Sequence, residues 1–110
     1  MNGHQISIYT TLGRRIHGKP LKDWLIGVAR EVGIPGATVF AGVEGYGHDR
    51  RFHSAHFFEL ADEPILIVVV VTEDQKRQLL SRLDAEGCEL FYVAQPVEFG
   101  SAGKAADSPS

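Results

Sequence analysis

The run Ile65-Leu66-Ile67-Val68-Val69-Val70-Val71 is the longest apolar stretch of the 110-residue chain. Its β-branched content favours a pleated backbone, and its length is short for a helix and far too short to span a bilayer. It reads as a strand. Because neither of its faces is polar, it belongs in the middle of a sheet with cover on both sides. Burial of an aliphatic side chain contributes roughly 1.5–3 kcal/mol, so one face left in water would forfeit several kcal/mol.

On the upstream side, Ala61-Asp-Glu-Pro64 turns the chain into this strand, and His56-Phe-Phe-Glu-Leu60 reads as a short strand or strand extension. On the downstream side, Thr72-Glu-Asp-Gln75 has the capping-box pattern, and Glu73 and Asp74 complement the positive end of a helix dipole. Leu79, Leu80 and Leu83 give that helix its buried stripe, and Gly87 stops it. Glu89–Gln95 is the last strand, with Leu90, Tyr92 and Ala94 alternating with Phe91 and Val93. Gly100–Ser110 is small, polar and aperiodic, so the folded domain is expected over 1–99 and a disordered tail over 100–110.

No internal repeat is found, and the N-terminal half is read on its own residues. Gln5–Tyr9 alternates as a half-buried strand, and Thr10–Lys19 is a polar connection. Pro20 suits the first turn of a helix whose apolar face is Leu21, Trp24, Leu25, Val28, Ala29 and Val32. Gly33 is placed as its left-handed C-cap, and Pro35 prevents continuation. A second strand, Ala37–Glu44, sets Ala37, Val39, Ala41 and Val43 against Thr38 and Phe40, and Gly42 inside it signals a bulge or a close approach by another group. The corner Gly45-Tyr46-Gly47 then launches the basic run His48-Asp-Arg-Arg-Phe-His53.

Strand, helix, strand, strand, helix, strand is the split βαβ order. It predicts an α+β ferredoxin-like βαββαβ sandwich, a four-stranded antiparallel sheet with two helices on one face. Two helices cover one face only, so the second apolar face of Ile65–Val71 points to another subunit as its cover. Composition narrows the function. A net charge of −3 gives no reason to expect nucleic acid, and the lone Cys88 excludes an internal disulfide or a cysteine metal cluster. With no signal-peptide pattern and no spanning segment, the expectation is a cytoplasmic protein without membrane insertion.

Gly36-Ala-Thr-Val39, the Gly45-Tyr46-Gly47 corner and His17-Gly-Lys-Pro-Leu21 together resemble the PII-like signalling proteins, in particular the branch long catalogued as a domain of unknown function. The resemblance covers about residues 5–96. It implies a homotrimer with adenine nucleotide bound in the clefts between subunits. It also implies a loop after Gly47 that signals to a target transporter or enzyme. Thr38 matches the threonine beside the adenine, Gly47 matches the second corner glycine by the phosphates, and His48 stands where PII proper has a phosphate-contacting arginine. Two departures are visible. The Thr38-to-Tyr46 spacing is one residue longer than in PII, and Gly87-Cys-Glu-Leu90 replaces the glycine- and lysine-bearing loop before the last strand. ADP, AMP, ATP or another small anion all remain open as the effector.

From the residues themselves, Arg50 and Arg51 offer forked donors to a phosphate. Arg14, Arg15, His17 and Lys19 lead into a helix N-terminus, whose free N–H groups attract anions. The ligand-binding candidates are therefore Thr38, Gly45, Tyr46, Gly47, His48, Arg50, Arg51, His17 and Lys19. His53 and His56, three residues apart, do not share a strand face and lack a third ligand, so no metal is expected. Cys88 lacks a basic neighbour in sequence, and Ser54 beside His53 lacks a nucleophile elbow, so no catalytic residue is assigned and no enzyme is expected. The alternatives are a CutA-like metal-binding trimer, which copper or zinc would stabilise through His53 and His56, and a small enzyme in the same cleft, whose turnover would depend on His48 or His53.

Overall fold

A computed structural model describes residues 1–46, 52–54 and 63–103. The strand expected at His56–Leu60, part of the turn before Pro64 and most of the expected tail lie outside them. The central sheet sets β4 (Ala37–Ala41), β7 (Pro64–Val71), β1 (Asn2–Thr11) and β8 (Phe91–Glu98) side by side in that order, every neighbouring pair antiparallel. Two helices, α1 (Leu21–Val32) and α2 (Glu73–Ala85), share one apolar core with it. This is the ferredoxin-like arrangement, and the Ile65–Val71 run lies inside the sheet between β4 and β1.

The pairing register sorts the side chains. His4, Ile6, Ile8 and Thr10 stand opposite Val71, Val69, Ile67 and Ile65, and all eight point to the helices. Ile6, Ile8 and Val71 are fully buried, and Ile67 is nearly so. From α1 come Leu21, Trp24, Leu25, Val28 and Ala29, and from α2 Leu79 and Leu83. Val32 and Leu80, expected on the same stripes, pack against the core half-buried.

The caps follow the sequence. Thr72 accepts from the Gln75 N–H at 3.2 Å, and the Gln75 side chain accepts from the Thr72 N–H at 2.9 Å. Gln75 Nε2 also donates to the Gly33 carbonyl at 3.0 Å, joining the start of α2 to the end of α1. Gly33 takes φ 88°, the left-handed cap that ends α1.

Element ends differ from expectation where the partner strand sets them. β1 runs from Asn2 to Thr11, beyond Gln5–Tyr9, because β7 and β8 flank it on both sides and satisfy its backbone through the polar ends. β8 occupies Phe91–Glu98, later than Glu89–Gln95, since its pairing with β1 begins at Tyr9↔Phe91. Pro20 is the N-cap of α1, just outside its first turn. The polar connection before it contains a hairpin, β2 (Arg15–Ile16) with β3 (Lys19–Pro20), and Ile16 packs on the core.

The strand expected over Ala37–Glu44 is split. β4 leaves the ladder at Ala41, and Glu44–Tyr46 (β5) pairs with Phe52–Ser54 (β6) as a separate ribbon. Gly42 marks the break: its N–H donates to the Pro64 carbonyl at 2.7 Å, and a Cβ there would stand 3.1 Å from Pro64 Cγ. The close approach inferred from a glycine in a strand is therefore the packing of Pro64.

Candidate functional site at the corner and the open sheet face

The face of the sheet away from the helices carries Thr38 and Phe40 on β4, Leu66, Val68 and Val70 on β7, Tyr9 on β1, and Phe91 and Val93 on β8, by the same register. Gln5, Ser7 and Gln95 share it, so it is largely apolar, and it is not closed. Phe40 is 53% exposed, Phe91 67% and Tyr9 47%, while Leu66, Val68 and Val70 are half-buried by their neighbours. The Tyr9 and Phe91 rings pack tilted with centroids 5.6 Å apart. Aromatic and β-branched side chains gathered on one exposed face form the kind of patch that marks an interaction surface.

Thr38 lies on this face, exposed, on the edge strand opposite Val68. The corner follows where β4 leaves the sheet. Gly45 pairs with His53 and Tyr46 with Phe52 in the β5–β6 ribbon. The end of the basic run is therefore strand rather than open loop. Gly47, His48, Arg50 and Arg51 lie outside the described residues.

His17 and Lys19 stand at the same end of the sheet. Thr11 pairs with Pro64, Leu12 N–H donates to the Glu63 carbonyl at 2.9 Å, and Gly42 meets Pro64, so the end of β1, the start of β7 and the exit of β4 coincide. The β2–β3 hairpin grows from that end. Its two turn residues, His17 (φ 51°) and Gly18 (φ 75°), both adopt positive φ, as a two-residue I′-type hairpin requires. Leu21 N–H donates to the Arg14 carbonyl at 2.7 Å, so one of the free amides at the start of α1 is already taken. Arg15 Nη2 folds back on the Gly18 carbonyl at 2.5 Å, and His17 Nε2 lies 2.5 Å from Glu86 Oε2. Lys19 is exposed. The segment is thus basic, ordered and at the same end of the sheet as the β4 exit, but it lies by the α2–β8 connection, at the edge opposite β4, and its histidine already holds a carboxylate.

Cys88 is half-buried after α2, and Arg14 Nη2 approaches its Sγ at 4.0 Å, a neighbour that a separation of 74 residues hides in the sequence. Among the described residues no group of three or more His, Cys, Asp or Glu side chains could hold a metal ion, and no helix is long and apolar enough to cross a membrane. The hollow between α1 and α2, which includes Glu31, Asp74 and Arg82, and the hollow between α2 and the start of β8 do not include Thr38. Among the described residues Thr38 lies on a surface, and a body seated on the open face would turn that surface into a cleft.

The chain is a ferredoxin-like sandwich with one sheet face free of helices and with Gly45 in a ribbon that follows its β4 edge strand. Residues 3–99 match the DUF190 family, described as uncharacterized ACR, and the chain belongs to that family. The UPF0166 protein of Aquifex aeolicus (strain VF5) is 31% identical over 71 residues, 64% of this chain and 68% of that one. Among solved structures, CPII, a nitrogen regulatory PII-like protein from Thiomonas intermedia K12 bound to ADP, AMP and bicarbonate, superposes with a TM-score of 0.69 at 17% identity, covering 92% of this chain and 91% of its own. A PII-like signalling protein from Thermus thermophilus gives 0.65 at 16% identity, with 87% of each chain covered. At such identities the similarity is one of fold, and the fold of this chain is that of the PII-like proteins.

Proposed function

We propose that this chain is a PII-like regulatory protein. Three copies pack their open sheet faces together, an adenine nucleotide binds in the clefts between them, and the segment after Gly47 carries the state of the site to a target protein. The observation that carries the reading is the open face itself. It carries Phe40, Leu66, Val68, Val70, Tyr9, Phe91 and Val93 across four strands, with Gln5, Ser7 and Gln95 between them, Thr38 lies on it, and the ribbon that holds Gly45 follows the end of β4. Seating another subunit there would bury Phe40, Tyr9 and Phe91 and enclose Thr38 in one step. The nucleotide complexes of CPII, on the same fold, support an adenine nucleotide as the ligand class.

A mono- or diphosphate suits this chain best. The α2–β8 connection passes from Glu86 to Leu90 without a glycine–lysine loop, so it offers no lysine to a third phosphate. Cation supply falls instead to Lys19 and to Arg50, Arg51 and His48. The mechanism is binding coupled to a change of a segment, with no bond made or broken, so the protein acts as a sensor rather than an enzyme.

Hydrogen exchange with and without ADP, AMP or ATP tests this reading. Slower exchange over Ala37–Ala41 and the residues after Gly47, with at least one of the three nucleotides, is the expected result. Exchange indifferent to all of them would remove the nucleotide from the account.

A further inference from the structure

The contact between His17 and Glu86 joins two segments 69 residues apart, and it ties down the turn of a hairpin whose arms are held by Ile16 on the core and by the Leu21 N–H on the Arg14 carbonyl. β2 and β3 are two residues each, far below the length at which a hairpin is stable alone. Arg15 folds onto Gly18 within the same turn, so it closes the hairpin without attaching it to anything else. Glu86, by contrast, is firmly held: it is the C-cap of α2, its N–H donates to the Arg82 carbonyl at 3.2 Å, and Gly87 turns beyond it at φ 64°. His17 sits at φ 51°, a backbone region that a non-glycine residue occupies when its surroundings hold it there. Its ring also lies 6.4 Å from that of Trp24 on α1.

We propose that Glu86 is a positioning residue, that it fixes the basic hairpin at the corner end of the sheet by holding the His17 imidazole, and that His17 acts as this anchor and does not itself touch the ligand. The carboxylate on Nε2 occupies the nitrogen that would otherwise face an anion, and its charge repels an anion approaching that ring. The hairpin contribution to binding then comes from Lys19 and the backbone, placed by the anchor. The effect on ligand rests on the nucleotide reading above; the anchoring itself does not.

Hydrogen exchange on the full chain, with ADP affinity measured alongside, separates the two. In Glu86→Ala and in His17→Ala the amides of Arg15–Lys19 should exchange about five- to tenfold faster, with β7 unchanged. The double variant should be no faster than either single one, and Glu86→Gln, which keeps an acceptor oxygen, should stay near the wild type. ADP affinity should fall several-fold in both alanine variants and recover in Glu86→Gln. Unchanged exchange at Arg15–Lys19 in Glu86→Ala overturns the proposal, and so does faster exchange spread equally over β7. An ADP affinity that rises in Glu86→Ala and falls in His17→Ala also overturns it, because His17 would then be a ligand released from its carboxylate. If the wild type binds no ADP, the nucleotide reading fails and the exchange results alone decide the anchor.

Discussion

Both faces of the central sheet carry apolar side chains, but the two helices cover only one of them. On the helix side, Ile65, Ile67, Val69 and Val71 are buried under α1 and α2. On the other side, Leu66, Val68 and Val70 of the same strand are half-buried, next to exposed Phe40, Tyr9 and Phe91. One face is complete within the chain. The second is largely apolar, with Gln5, Ser7, Thr38 and Gln95 among its aliphatic and aromatic side chains, and its exposure costs solvation free energy. On the proposed reading, stability and function are divided across a single layer of backbone: core substitutions should unfold the chain, whereas substitutions on the open face should leave it folded and change what it joins.

The largest effect expected is at Ile67, which is 1% exposed. Ile67→Ala should cost about 3–4 kcal/mol in urea unfolding, a large share of the stability of a domain this size. Val68→Lys, one residue along and facing the other way, sharpens the contrast. It should reduce the particle from an oligomer to a single chain in sedimentation velocity, while far-UV circular dichroism stays unchanged. A Val68 variant that unfolds like Ile67→Ala would break the division between the faces.

A smaller effect is expected at the start of α2. Thr72→Ala removes the capping box and should lower stability by about 1 kcal/mol without altering the mass in solution. The smallest concerns Thr38, exposed on an edge strand. Thr38→Val should keep the melting temperature of the nucleotide-free protein within about two to four degrees, since surface changes stay near ±0.5 kcal/mol. It should still weaken ADP binding several-fold in titration calorimetry.

What could be read from the sequence was what is local and periodic. The 3.6-residue face from Leu21 to Ala29, the Thr72–Gln75 box, the Gly33 cap and the apolar run at Ile65 each carry their cause within a few residues, and together they sufficed for the fold. Strand ends were not local. Asn2, Gly3 and His4 joined β1, and Pro96 and Glu98 joined β8, because a neighbouring strand supplied hydrogen-bond partners that no pattern in those segments announces. The β2–β3 hairpin was missed because two residues per arm show no period. Its signals were the His17-Gly18 pair, able to take positive φ, and a single apolar Ile16 in a charged stretch. Thr38 and the Gly45 corner could be singled out through resemblance. The anchoring of His17 by Glu86 and the approach of Arg14 to Cys88 could not, since both depend on where α2 ends relative to α1.

Native mass spectrometry in the presence of ADP tests the central claim most directly, because it counts chains and ligands in the same particle. The predicted result is a species of three 12.1 kDa chains carrying bound ADP. A single chain, or an assembly that retains no ADP, AMP or ATP, would contradict the account.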